Sequence, residues 1–193
     1  MSLKHAILGF LEIKPLSGYD LKKAFAGSVQ HFWPADQAQI YRTLSQLGEA
    51  EMVSVELVPQ EDRPDRKVYH ITDNGRSELQ SWLTTTLPPI SEREPQLVRI
   101  FFGGFIDDAA LLPCLTEAIA QEQADLSAMH TILNSAQQQI ERLTNPAERR
   151  IGFFQMLTIE RAILHHQAQI DWLESIVTRL QNQDFTILPE GTL

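Results

Sequence analysis

Cysteine is nearly absent from this sequence, and its scarcity limits how the chain can be stabilised. Cys114 is the only cysteine among 193 residues, so an internal disulfide is excluded. A chain without disulfides is typical of a reducing compartment. Long apolar runs are missing too, because no segment reaches the roughly 18 apolar residues that a membrane-spanning helix needs. We therefore expect a cytoplasmic protein that does not enter the membrane.

Positive charge is also scarce, and it is distributed unevenly along the chain. The net charge is −9. Residues 1–90 carry 9 lysines and arginines against 11 acidic residues, a net of −2. Residues 91–193 carry 7 against 14, a net of −7. Because an acidic surface repels nucleic acid, the second half is a poor nucleic-acid surface, whereas a small cationic patch remains possible in the first half.

The sequence also has little that would support catalysis. His165 and His166 are adjacent, and only residues three or four apart converge on a helix, so they predict no metal site. Cys114 has no histidine or charged activator nearby in the sequence, and we expect it to be a packed, inert thiol. No glycine-rich phosphate loop is present. We therefore predict no catalytic residue, no cofactor and no metal.

The first part of the chain contains a recognisable order of helices. Apolar residues at helical spacing predict a first helix over residues 2–12. The pairs Ser17 with Asp20 and Asp36 with Gln39 have the spacing of capping boxes, and they predict the starts of the second and third helices.

A hairpin and a fourth helix follow. Val53, Val55 and Leu57 alternate with polar residues, as in a half-buried strand, and residues 67–71 return after a polar turn. Leu79, Trp82 and Leu83 are expected to form the buried face of the fourth helix. The order helix, helix, helix, hairpin, helix predicts a winged helix-turn-helix with a two-stranded wing. We assign structural roles to Val55, Tyr69, Ile71 and Trp82.

The third helix and the hairpin carry the residues that could contact DNA. Ile40, Leu44 and Leu47 form the apolar stripe of the helix, so its opposite face is polar. Arginine can read guanine, glutamine can read adenine, and tyrosine or serine can bind phosphate. Each feature alone is also typical of an ordinary solvated surface. The candidates are Gln39, Tyr41, Arg42, Ser45 and Gln46 on the helix and Arg63, Arg66 and Lys67 on the hairpin.

The second half of the chain is predicted to be helical. Two prolines at residues 88–89 indicate a boundary, so we predict a DNA-binding domain over residues 1–88 and a helical domain over residues 89–193. Two long helices are expected over residues 107–143 and 147–183, each on the order of 50 Å long. Helices of that length need each other and a second chain to bury their apolar faces, which predicts a homodimer.

The second half also contains a set of aromatic residues that could contact a ligand. At helical spacing such residues are more often core than ligand contacts, and the alternative is that they line an inducer pocket near the dimer interface. The set comprises Phe101, Phe102, Phe105, Phe153, Phe154 and Trp172.

Five short segments of the sequence are distinctive in their order and spacing: residues 17–21 (SGYDL), 32–34 (FWP), 39–44 (QIYRTL), 63–69 (RPDRKVY) and 71–75 (ITDNG). Together they resemble the PadR family of bacterial transcription regulators. The resemblance is dense in the first domain and looser through the long helices. It implies a winged-helix dimer, usually a repressor, whose C-terminal helices hold the dimer together. Some family members respond to phenolic acids or to other small aromatic or cationic compounds.

One position departs from the family pattern. The family usually has glycine at the end of the recognition helix, and Glu51 stands at that position here. Glycine adopts the left-handed conformation without steric cost. A glutamate in the same conformation would cost about 1 kcal/mol, unless the helix ends differently.

The sequence thus predicts a mainly α-helical regulator that binds double-stranded DNA at a pseudo-palindromic operator. We expect a homodimeric repressor that is relieved by a small aromatic effector. One alternative is a winged-helix adaptor that binds a protein and no DNA, which the acidic charge favours. The two differ in salt dependence, because DNA binding weakens steeply as salt is added.

Overall fold

The chain folds into two compact units, Met1–Ser91 and Glu92–Leu193. Both are mainly helical, which confirms the predicted fold class. The domain boundary predicted after residue 88 remains a prediction. The computed structural model describes residues 2–60, 65–88 and 93–186.

The described part of the first unit contains four helices and a small sheet. The two predicted capping boxes, at Ser17 and Asp36, are both formed, and Thr72 caps the fourth helix by accepting the N–H of Gly75. The order of elements is therefore the predicted winged helix-turn-helix order. The elements are α1 Ser2–Ile13, β1 Leu16–Ser17, α2 Gly18–Ala26, α3 Gln37–Glu49, β2 Val53–Val58, β3 Arg66–Ile71 and α4 Asp73–Thr84.

The predicted two-stranded wing is present as β2 and β3, and the two-residue strand β1, which the sequence did not predict, extends the antiparallel sheet to the order β1-β3-β2. Leu16 pairs with Tyr69 and Ser17 pairs with Val68. The pairing places the start of α2 directly beside the middle of β3.

Strand β2 is less buried than its alternating sequence predicts. Val53 is buried and pairs with Ile71, whereas Val55 and Leu57 are exposed, so the expectation of a half-buried strand is wrong beyond its first residue. The reason is that most of β2 lies beyond the core. The hairpin meets the core only at its Val53–Ile71 end and extends away from it.

The core of the first unit lies between α1, α2, α3 and the base of the hairpin. The predicted stripe of α3 is fully buried, and Leu79 anchors α4. Trp82 is half-buried and stacks on the His5 ring, with 4.4 Å between ring centroids. Leu83, however, is 66% exposed, because α4 contacts α1 through its Leu79 side, so the expectation that Leu83 is buried is wrong. The buried side chains include Ile7, Leu8, Leu11, Leu21, Phe25, Ile40, Leu44 and Leu47.

The turn that follows α3 contains the predicted departure from the family pattern. Glu51 has φ 56°, so this glutamate adopts the left-handed conformation that glycine favours. The N-cap residue of α4 stabilises this turn, because the Thr72 hydroxyl donates a hydrogen bond to the Glu51 carbonyl at 2.7 Å. A Cβ atom on Gly75 would lie 2.2 Å from the Met52 carbonyl oxygen, so α4 approaches this turn as closely as backbone allows.

Two long antiparallel helices dominate the described part of the second unit. Their bounds lie within two residues of the predicted ones, and they pack against each other through two apolar clusters. Leu115 and Leu173 centre one cluster, and Met129 and Ile159 centre the other. None of the described helices is both long enough and apolar enough to cross a membrane. The elements are α5 Pro95–Phe101, a 3-10 helix Gly103–Phe105, α6 Asp108–Glu141 and α7 Pro146–Gln181.

Candidate nucleic-acid interface

Helix α3 is anchored at its start by a complete capping box. Asp36 Oδ1 accepts the Gln39 N–H at 2.7 Å, and Gln39 Oε1 accepts the Asp36 N–H at 3.0 Å. These two bonds satisfy backbone donors that the first helical turn leaves without partners. The amide oxygen of Gln39 is therefore engaged. A bidentate contact with adenine uses both the oxygen and the nitrogen of the amide. Gln39 must therefore release the Asp36 N–H before it can make such a contact.

The face of α3 opposite the buried stripe is polar and exposed, as predicted. Arg42 and Ser45 lie on it, and the Ser45 hydroxyl donates to Glu49 at 3.4 Å. An exposed helix with these side chains has the donors needed for base edges and phosphates in a major groove. All five helix candidates are exposed: Gln39, Tyr41, Arg42, Ser45 and Gln46.

Tyr41 is held in place by α2. A Cβ atom on Gly18 would lie 2.5 to 2.9 Å from the Tyr41 ring carbons and hydroxyl, so the ring packs against bare backbone there. The phenol thus has a defined position at the junction between α2 and α3. Nearby, burial raises the pKa of Tyr69, and the neighbouring Tyr41 adds to the shift.

The wing contributes two described cations. Arg66 and Lys67 begin β3, opposite Val58 and Leu57, and both are exposed. Arg63, the third predicted wing contact, lies outside the described residues. Arg66 Nη2 donates to Asp20 Oδ2, whereas Lys67 forms no ion pair with another residue in the part of the chain that the structure describes.

Asp20 joins the wing to the start of α2. Its Oδ2 atom accepts the Ser17 hydroxyl at 2.6 Å and the Ser17 backbone N–H at 3.2 Å, in addition to Arg66. The Ser17 hydroxyl bond lowers the pKa of the Asp20 carboxyl most, the Ser17 N–H and Arg66 lower it further, and partial desolvation opposes them. The carboxylate is therefore charged near neutral pH and links two elements that are 46 residues apart.

These elements enclose a cleft of about 540 Å³. It brings Tyr41, Arg66 and Lys67 together, whereas the other described candidates, Arg42 among them, lie outside its lining along α3. The lining residues are Ser17, Gly18, Tyr19, Asp20, Tyr41, Gln60, Asp65, Arg66, Lys67 and Tyr69.

The structure adds two residues that sequence reasoning did not place at this surface. Lys22 Nζ donates to Gln37 Oε1 at 3.2 Å, which places an α2 cation beside the start of α3. Asp20 was predicted only as a capping residue. The first helix of a helix-turn-helix crosses the DNA backbone, so exposed lysines on α2 were the available signal for Lys22. Nothing local signalled the contact between Asp20 and Arg66.

The other candidate chemistry of the sequence does not assemble into a site. Cys114 is exposed, so the expectation of a packed thiol is wrong for the single chain. His166 Nδ1 lies 2.6 Å from Glu122 Oε2, a polar contact between α7 and α6. Within the described ranges, no three His, Cys, Asp or Glu side chains are grouped to hold a metal ion.

The aromatic residues of the second unit are mostly exposed in the single chain. Phe101 and Phe105 are 80% and 85% exposed, so the expectation that they are core residues is wrong within one chain. Phe102, Phe153 and Phe154 are exposed as well, and Trp172 alone of the set packs against an apolar cluster.

Both halves of the chain match known protein families. The model of the transcriptional regulator PadR-like family matches residues 7–81. The model described as virulence activator alpha C-term matches residues 92–181.

Two relatives match nearly the whole chain. A probable transcriptional regulator of Mycobacterium tuberculosis is 32% identical, with 95% of this chain and all of the relative covered. The negative transcriptional regulator PadR of Bacillus subtilis is 26% identical, with 92% of this chain and 97% of the relative covered.

Solved structures of the Bacillus subtilis regulator share the fold. Its complex with operator DNA has a TM-score of 0.81 at 26% identity and covers 93% of this chain and 99% of that one. Its complex with p-coumaric acid has a TM-score of 0.77 at 26% identity and covers 94% and 99%. The chain therefore belongs to the PadR-like family of transcriptional regulators and is not an enzyme.

Proposed function

We propose that this protein is a homodimeric repressor that binds a specific DNA operator through α3 and the wing. The observation that carries the proposal is the exposed polar face of α3, together with the cleft in which Tyr41 of α3 lies with the wing cations Arg66 and Lys67. The similarity to a repressor solved with its operator DNA supports it.

In this proposal α3 enters the major groove. Arg42 donates to a guanine, and Gln46 and Gln39 read adenine, the latter after leaving its capping bond. Tyr41 and Ser45 bind phosphate.

The wing holds the DNA backbone beside the groove. Because the whole chain carries a net charge of −9, attraction to DNA must come from a small surface, which we call the cationic strip. It consists of Arg42, Arg63, Arg66 and Lys67.

We propose that the second unit holds two chains together. Large apolar side chains of α7 are exposed in the single chain, among them Ile151, Phe153, Phe154 and Leu164. A second chain that packs against α7 would cover such side chains, and large exposed apolar surfaces are typical of interfaces. A twofold dimer presents two α3 helices, so the operator is a pseudo-palindrome with half-sites one or two helical turns apart.

We further propose that a small aromatic compound relieves repression in the cytoplasm. The Bacillus subtilis relative was solved with p-coumaric acid. The aromatic residues of the second unit, Phe101, Phe102, Phe105, Phe153, Phe154 and Trp172, are the candidates for contacting it. A ligand between the long helices would change the separation of the two α3 helices and so weaken operator binding.

The second candidate function is a protein-binding adaptor, favoured by the acidic net charge.

Selection from a random-sequence duplex library tests the repressor and the adaptor against each other. The repressor predicts enrichment of one twofold-symmetric sequence, called the selected duplex below, and loss of its binding as salt rises. An adaptor enriches no sequence and binds no duplex at low salt.

A matched pair of variants then locates the surface. The variant with Arg66→Ala and Lys67→Ala should bind the selected duplex more weakly, whereas Arg142→Ala with Arg149→Ala removes the same charge from the second unit and should bind like wild type. Equal loss in both variants would contradict contact through the wing.

A further inference from the structure

One oxygen atom of Asp20 connects the wing to the first turn of α2. Asp20 Oδ2 accepts the Ser17 hydroxyl, the Ser17 backbone N–H and Arg66 Nη2. The first two bonds belong to the capping box of α2, so the carboxylate is fixed by helix geometry. The Arg66 guanidinium therefore takes its position from the first turn of α2 as well as from the wing backbone.

The first turn of α2 is in turn fixed against α3. The Tyr41 ring lies against Gly18, with no room for a Cβ atom between them. Ser17 also pairs with Val68 of β3. Through these contacts Arg66 is held at a defined place relative to the face of α3 that we propose enters the groove.

Arg66 keeps the means to bind a second anion. A guanidinium has five N–H donors, and the bond to Asp20 uses one of them. The Arg66 side chain is 47% exposed. Ordering a free arginine costs conformational entropy, and a side chain that is already held loses less of it on binding.

We propose that Asp20 is a positioning residue that orients Arg66 toward a DNA phosphate beside the α3 groove, a role that rests on the proposed DNA binding. Asp20 itself touches no DNA. Its negative charge lies next to the contact, so electrostatic repulsion alone predicts that Asp20 weakens DNA binding. The positioning role predicts that Asp20 strengthens DNA binding, and the sign of the effect therefore tests the role.

The deciding variant is Asp20→Asn. Asparagine keeps an oxygen that can accept from Ser17, but it loses the charge that holds Arg66. If Asp20 only repels DNA, Asp20→Asn binds the selected duplex more tightly. If it positions Arg66, the variant binds roughly three- to tenfold more weakly, and the loss disappears when Arg66→Ala is already present.

Two controls separate positioning from folding and from charge. Asp20→Glu keeps the charge and introduces glutamate, the usual acidic residue at this position of a capping box, so this variant should bind within twofold of wild type. Asp65→Asn makes the same charge change at another residue lining the cleft and should not weaken binding. Thermal unfolding of every variant checks that the fold is retained.

The outcomes separate this role from the proposed function. Wild-type protein that binds no duplex overturns both. If wild-type protein binds the duplex, Arg66→Ala weakens that binding and Asp20→Asn binds as tightly as wild type, only the positioning role is overturned. A loss in Asp20→Asn that persists in the Arg66→Ala background also overturns it, because the effect would then be structural.

Discussion

The ring of Tyr41 in α3 lies against the backbone of Gly18, the first residue of α2. A Cβ atom at position 18 would lie 2.5 Å from the Tyr41 Cε1 atom, closer than side chains approach each other. The contact joins two helices of the helix-turn-helix and sets where the phenol lies on the proposed DNA-binding surface.

Replacing Gly18 with alanine should displace the Tyr41 ring and weaken binding of the selected duplex. We expect a loss of about 1.5–3 kcal/mol, the contribution of one hydrogen bond to a charged group. Gly27→Ala is the matched control at the other end of α2, where the new Cβ would meet only the Lys23 carbonyl at 3.4 Å. Fluorescence titration with labelled duplex measures both variants, and unchanged affinity in Gly18→Ala would remove Tyr41 from the interface.

Arg42 is the residue of α3 that we expect to read a base. Arg42→Ala should weaken specific binding by about 1–3 kcal/mol and relax the sequence preference at one base pair of each half-site. Arg142→Ala removes the same charge from the second unit and should leave the preference unchanged. A repeat of the library selection with each variant measures this. A uniform loss across all sequences would make Arg42 a phosphate contact instead.

Glu51 carries strain that glycine would remove. Because its φ is 56°, Glu51→Gly should raise the free energy of unfolding by on the order of 1 kcal/mol. Glu51→Ala removes the same charge but keeps a Cβ atom, so its stability should stay near wild type. Urea unfolding compares the three proteins. Equal stabilisation by both substitutions would attribute the effect to the glutamate charge rather than to the backbone.

Glu78 should make the stability of the first unit depend on acid pH. Hydrogen bonds from Lys4 and then His5 lower the pKa of Glu78 below its ordinary 4.5. The unfolded state therefore binds the proton more readily than the folded state does. The stabilisation is complete above pH 4.5 and is lost as the pH falls through the lower, folded-state pKa.

Glu78→Gln should accordingly lower the melting temperature at neutral pH. The difference from wild type should shrink as the pH falls below 4.5. Glu117→Gln, an exposed change on α6, is the control for charge removal. A difference between Glu78→Gln and wild type that stays constant across this pH range would show that the ion pair contributes nothing to stability.

Local signals in the sequence predict most of the first unit. The capping residues Ser17 and Asp36 mark helix starts, and the spacing of Ile40, Leu44 and Leu47 identifies the exposed face of α3. These features depend on residues within a few positions of each other. Strand β1 escapes prediction because two residues have no periodicity, and its partner Tyr69 is more than 50 positions away.

The errors have a common physical origin in contacts that sequence periodicity does not record. Leu57 alternates like a core residue, but it lies on an edge strand beyond the core. Phe153 and Phe154 are apolar, yet they are exposed in the single chain. Helical spacing identifies an apolar face but does not say what covers that face. The bond between Asp20 and Arg66 joins two elements with no shared local pattern.

The most direct test of the account is the salt dependence of binding to the selected duplex. Wild-type protein should show a steep linear fall of log affinity with log salt concentration. Removing Arg66 and Lys67 by substitution with alanine should reduce the slope by about one for each lost phosphate contact. An affinity that does not change with salt, or a slope that is the same in wild type and variant, would contradict DNA binding through the cationic strip.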